Sequence, residues 1–221
     1  MTMAVNIVLS VLLIAAGYVF VCCYLKQVGL KALDKNTLKI TPVKLAYLIA
    51  NVVAIGTLIA IFETVYSLDV IRQMKLLVLV TVLFPAAAID FRVQKIPNQL
   101  LAAALLIRVL IYTAEFAISV PEAVDTLKDG VLGAVLIGGF FLLLLLVFKN
   151  SIGMGDIKLF AVMGLYQGMW GALNVVFFSL MVSFFLSVGL LITRKKSRKD
   201  TISFGPSILL GTIIAMALAG M

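Results

Sequence analysis

The chain has 221 residues, 63% of them hydrophobic and 13% charged, with a mean hydropathy of +1.20, which excludes a soluble globular domain and indicates an all-α, polytopic membrane bundle. The net charge of +8 does not point to nucleic acid, because the basic residues sit in short clusters between apolar runs instead of along one aromatic-interleaved face. There is no histidine, and Cys22 and Cys23 are adjacent within an apolar run, which excludes Ser-His-Asp and Cys-His catalysis and argues against a zinc or haem site.

A spanning helix needs about 20 apolar residues, and on that criterion about eight spans are predicted, near 4–25, 43–62, 74–90, 99–118, 130–148, 157–171, 172–193 and 203–220. Met1 to Asn6 carry no Lys or Arg, so the first run reads as a retained span instead of a signal peptide. The loop after it holds Lys26, Lys31, Lys35, Lys39 and Lys44 against Asp34, whereas the next, with Glu63, Asp69, Arg72 and Lys75, is balanced. The positive-inside tendency therefore makes the first loop cytoplasmic. The alternation continues: Arg92 and Lys95 follow span three, an acidic connection carries Glu115, Glu122, Asp125 and Asp129, and Lys149 and Lys158 flank the turn before span six. The last loop holds Arg194, Lys195, Lys196, Arg198 and Lys199. Both termini are expected outside, and the last basic cluster reads as a topology determinant with a minor contribution from anionic membrane lipid. The sixth span is short, about 22 Å against a hydrocarbon core of about 30 Å. A re-entrant path there would place the last cluster outside, so it is read as crossing. Ala86-Ala87-Ala88, Gly133, Gly138-Gly139 and Gly164-x-x-x-Gly168 suggest close helix packing.

Chemistry falls to carboxylates. Asp90 closes span three and Asp156, within Gly153-Met154-Gly155-Asp156-Ile157-Lys158, opens span six, so both belong to the cytoplasmic ends of their helices. Carboxylates at the edge of hydrocarbon are costly and tend to be functional. Two of them close together in a poorly solvated place share one proton, leaving one as base and the other as acid. That arrangement activates a water against a peptide carbonyl and requires no metal or cofactor. Gly153 and Gly155 are expected to permit φ > 0 and to admit an extended substrate backbone, and Asp156 to serve as an N-cap. Ile96-Pro97-Asn98 is expected to end a tight turn from Asp90 to Pro97 and to restart a helix at Asn98. Lys95 and Lys158 read as snorkelling interface residues. Arg108, inside a span, calls for a partner; Glu115, seven residues on, shares its face unless the outer loop claims it.

Asp90-Phe91-Arg92 with Lys95-Ile96-Pro97-Asn98, then Gly153 to Leu159, then Ser203-Phe204-Gly205-Pro206 together resemble the type IV prepilin peptidases, membrane aspartic proteases of the GxGD type. The resemblance covers about residues 74 to 220. It implies that Asp90 and Asp156 are the catalytic pair and that Gly153, Gly155, Lys158, Ile96, Pro97 and Asn98 line the substrate's approach. It also implies a division into two N-terminal spans (1–73) and a six-span peptidase core (74–221). The expected substrate is a prepilin or pilin-like precursor whose short basic leader is cut at the cytoplasmic face of a prokaryotic plasma membrane. Many members carry a cytoplasmic N-methyltransferase domain with two C-x-x-C pairs after the first span; this sequence has only the loop from Lys26 to Lys44, so the short, peptidase-only subgroup is implied, similar to enzymes serving tight-adherence (Flp) pili or archaeal preflagellins. The competing classes are a proton- or cation-coupled transporter, a non-catalytic membrane subunit of a pilus or secretion machine, and a GxGD protease that cuts within a substrate's span.

Overall fold

A computed structural model describes residues 2–27, 42–148, 153–193 and 203–220. Among these it contains seven helices and no strand: α1 (Thr2–Gln27), α2 (Pro42–Thr64), α3 (Val70–Val93), α4 (Asn98–Ile118), α5 (Val120–Val147), α6 (Met154–Ile192) and α7 (Gly205–Ala219). Six are long and apolar enough to cross a membrane; α7, at 15 residues, is shorter, about 22 Å. The multi-pass helical bundle expected from composition is therefore present. Most of the basic loop after α1 and the whole Arg194 to Lys199 cluster lie outside the described residues.

The helix ends differ from the apolar runs in a consistent way. α3 begins at Val70 and continues through Asp90 to Val93, and α5 begins at Val120, ten residues before the predicted span. Charged residues end an apolar run without ending a helix, since backbone hydrogen bonding is indifferent to them. What was read as an acidic outer connection is thus helical: Pro121 and Glu122 start α5, where a missing N–H and a negative charge both suit a helix N-terminus. Only Ser119, in extended conformation, separates α4 from α5.

The two predicted spans 157–171 and 172–193 form one 39-residue element, α6. A straight helix of that length would measure about 58 Å, about twice the hydrocarbon core. Instead α6 breaks at Gly168, whose φ of 75° and ψ of −176° lie outside the helical region. The break comes a few residues earlier than the predicted boundary and divides α6 into 154–167 and 169–192. Counted as straight segments, the described residues make eight helices.

α3 is the centre. Within its most apolar window 78% of residues are buried, against 28% or less in every other candidate span. Lipid tails are as apolar as leucine, so this arrangement is held by close packing and polar contacts more than by removal from water. α1 rests on α3 where Gly17 meets the ring of Pro85, and the Asn6 amide donates to Gln73 Oε1 at 2.6 Å. Leu58, Ile59 and Phe62 of α2 join the same core, and the Tyr66 hydroxyl donates to the Ala217 carbonyl near the end of α7. The small residues act as expected between α5 and α6: a Cβ on Gly164 would overlap the backbone of Ala134, and one on Gly138 would lie 3.1 Å from Ala161 Cβ. Arg108 is buried and paired with Glu115 at 3.1 Å, so the partner on its own helix face holds it and no loop does.

Candidate active site

Asp90 lies one turn before the end of α3. Its carbonyl accepts the N–H of Gln94, which at φ 53° turns the chain out of the helix, so the Asp90 backbone closes α3 while its side chain stays free for tertiary contact. That side chain is 6% exposed, and its Oδ2 accepts the backbone N–H of Gly205 at 2.7 Å. Gly205 is the first residue of α7, where unpaired N–H groups and the positive end of the helix dipole suit a carboxylate. A side chain on Gly205 would put its Cβ 2.9 Å from both Asp90 Cβ and Asp90 Oδ2. Glycine is required there by space.

Asp156 is the third residue of α6. It is not the N-cap, as the sequence suggested; that position belongs to Gly153, and the Asp156 carboxylate turns back over it, so that a Cβ on Gly153 would lie 3.0 Å from Asp156 Oδ2. Nor do the two glycines adopt φ > 0: Gly153 has φ −71°, and the positive-φ glycines among the described residues are Gly168 and Gly220. Their role is clearance. A Cβ on Gly155 would press to 3.1 Å from Ile96 Cβ, so the missing methyl lets the turn between α3 and α4 close onto the start of α6. Asp156 is half-buried. The fold places these two carboxylates, 66 positions apart in sequence, on neighbouring helix ends, where the turn after Asp90 packs through Ile96 against Gly155 beside Asp156.

The remaining residues singled out from sequence gather round this pair. Residues 94–97 form the turn, shorter than the expected Asp90–Pro97 because α3 runs on to Val93; Pro97 is the N-cap of α4 and Asn98 its first residue. Lys158 does more than snorkel: its Nζ donates to Asn98 Oδ1 at 3.0 Å, tying the second turn of α6 to the first turn of α4. Behind the carboxylates, Phe160 stacks on Phe141 at 4.6 Å and meets Phe204 at 5.9 Å, joining α5, α6 and the approach to α7. Lys95 and Arg92 are exposed at the rim, beside Phe91, which is 72% exposed. Gly205 had a place in the sequence only as part of a motif; no local signal shows that its N–H would reach a carboxylate 115 residues upstream.

A family model of the type IV leader peptidases matches residues 77–193, a stretch that holds Asp90, Asp156 and the turn between α3 and α4 but stops before Gly205. Two curated relatives are named prepilin leader peptidase/N-methyltransferase. The one from Bacillus subtilis (strain 168) is 29% identical over 142 residues, 62% of this chain and 53% of the relative. The one from Aeromonas hydrophila is 35% identical over 97 residues, 41% of this chain and 33% of the relative. The chain thus aligns with about half or less of the length of these relatives, and no solved structure matches it. The family match covers more than half of the chain and contains both carboxylates, so the chain belongs to the type IV leader peptidase family.

Proposed function

We propose that this chain is an aspartic endopeptidase of the GxGD class, with Asp90 and Asp156 as its catalytic pair. The observation that carries the reading is their placement: two carboxylates from distant segments, one almost fully buried and the other half-buried, at helix ends that pack together through Ile96 and Gly155 at one end of the bundle. Two such groups hold one proton between them. The ionised member takes a proton from a water, whose oxygen attacks the scissile carbonyl carbon, while the protonated member donates to the carbonyl oxygen. The tetrahedral intermediate then collapses as the C–N bond breaks and the leaving amine takes a proton. Gly205 supports this chemistry by holding one Asp90 oxygen at 2.7 Å, which fixes the orientation of the carboxyl group. Ile96, Pro97, Asn98 and Lys158 shape the rim over which an extended peptide reaches the pair, with Gly153 and Gly155 keeping that approach low.

The proposed substrate is the leader of a prepilin or pilin-like precursor, in keeping with the names of the relatives. Cleavage takes place at the cytoplasmic face, because Arg92, Lys95 and Lys158 lie at the carboxylate end and positive charge marks that side. Residues 74–221 form the peptidase core and 1–73 supply two flanking spans. No N-methylation follows, since no C-x-x-C pair stands in the sequence. The test is co-expression with a pilin precursor and mass measurement of the pilin N-terminus. Leader removal without an added methyl group, lost in both Asp90→Asn and Asp156→Asn, supports the proposal. Continued cleavage by both variants, in a host without another such peptidase, refutes it.

A further inference from the structure

The break in α6 lies within the bundle, and it is capped from both sides by charged residues of other helices. In an unbroken helix the Leu165 carbonyl would accept the N–H of Met169, four residues on. Here Met169 N–H donates to Asp129 Oδ1 of α5 at 3.1 Å, while the Leu165 carbonyl accepts from Arg108 Nε at 2.9 Å and from the Tyr112 hydroxyl at 3.1 Å, both on α4. The cation sits at the C-terminal end of the first half-helix and the carboxylate at the N-terminal end of the second, as the two helix dipoles favour. Backbone groups left unpaired in apolar surroundings cost several kcal/mol each, so irregular backbone in a membrane bundle needs such partners or a polar cavity. Both are present: a cavity of about 240 Å³ adjoins the break, lined among others by Arg72, Lys75, Asp129, Gln167 and Gly168.

The capping residues are themselves fixed. Glu115 holds the Arg108 guanidinium at 3.1 Å, which lies over the Tyr112 ring with 3.6 Å to its centroid. Tyr166 donates to the Ala104 carbonyl at 2.7 Å. A Cβ on Gly168 would overlap the Asp129 carboxylate, so the break and its cap fit only with glycine there. The half-helix that begins beside Asp156 is therefore anchored at its far end, about 14 Å along the helix from that residue.

We infer that Arg108 and Asp129 are positioning residues for Asp156: Arg108 holds the C-terminal end of the half-helix that presents Asp156, and Asp129, by capping the N-terminal end of the half-helix that follows, fixes the break from which the first one runs. The inference rests on the peptidase reading for its consequence in catalysis, but not for its geometry. A shift at the caps travels along a rigid helix to its first turn, where misplacement of a reacting group by about 1 Å lowers rate by up to about a hundredfold.

The test uses the full chain in membranes, with two readouts. In the first, Asp129→Ala lowers kcat for leader cleavage about tenfold with KM within about twofold of wild type, and Asp129→Asn, which keeps an acceptor for Met169 N–H, returns kcat to within about threefold. In the second, Asp90→Cys and Asp156→Cys are combined with Cys22→Ser and Cys23→Ser, and bridged with a short bis-methanethiosulfonate. Asp129→Ala slows bridging severalfold and Asp129→Asn restores it. Tyr112→Phe, which removes one of two donors to Leu165, is the milder variant should Asp129→Ala fail to accumulate; it slows both readouts to a lesser degree. Unchanged bridging in Asp129→Ala or Tyr112→Phe overturns the inference, even with reduced kcat, because the loss would then arise elsewhere. If Asp90→Asn and Asp156→Asn both still cleave, the catalytic reading falls, while the bridging rates still decide the positioning.

Discussion

Gly205→Ala tests the link between α7 and the carboxylates most directly. The added Cβ would lie 2.9 Å from Asp90 Cβ and Oδ2 and 3.2 Å from Ala87 Cα, the last being backbone of the central helix. None of these atoms is the loose end of a long side chain, so the start of α7 must move away. The movement lengthens or breaks the 2.7 Å bond from Gly205 N–H to Asp90. A hydrogen bond to a charged group contributes about 1.5–3 kcal/mol, and at about 1.4 kcal/mol per decade its loss from the reacting state corresponds to about ten- to a hundredfold in kcat/KM. The assay is leader cleavage in membranes, at matched protein levels. Gly139→Ala is the control, since a Cβ there meets nothing within 4 Å and alanine is the better helix former; its activity stays at the wild-type level. Gly205→Ala with kcat/KM within about threefold of wild type would refute the argument that this N–H orders the proposed catalytic carboxylate.

Four further outcomes are expected. If the pair shares one proton, cleavage follows a bell-shaped pH profile: at low pH both carboxylates are protonated and no base remains, at high pH both are ionised and no acid remains; a flat profile across the acid-to-neutral range would count against the shared proton. Lys158→Met removes the bond to Asn98 at an exposed site, so activity falls less than about tenfold while thermal stability in detergent barely changes. Gly164→Val drives a side chain into the α5 backbone at Gly133 and Ala134 and destabilises the bundle by about 1–3 kcal/mol, read as a lower midpoint of unfolding; an unchanged midpoint would contradict the packing described. Tyr166→Phe leaves the buried Ala104 carbonyl without this donor and lowers stability by about 1 kcal/mol.

Much of this protein was legible in one dimension. A mean hydropathy of +1.20 and apolar runs of spanning length determine a helical membrane bundle, because hydrocarbon leaves the backbone few other ways to satisfy its polar groups. Asp90 and Asp156 stood out for the same reason: charge is expensive beside lipid, so the few acidic residues at span ends draw notice. Helix boundaries were less legible, since apolar runs stop at Arg72, Lys75 or Asp129 while hydrogen bonding continues through them.

Tertiary structure alone decided how those residues are used. The glycines beside Asp156 were expected to take φ > 0, yet neither does, and they matter for what touches them, a property that belongs to the partner as much as to the residue. Gly205 reaches Asp90 across 115 positions, and Arg108, Tyr112 and Asp129 meet at a break in α6 marked locally only by a glycine. The physical reason is one of range. Hydrophobic length and helix-end charge act within a few residues and leave their pattern in sequence, whereas clearance for a methyl group and the partner of a freed carbonyl depend on which helices lie side by side.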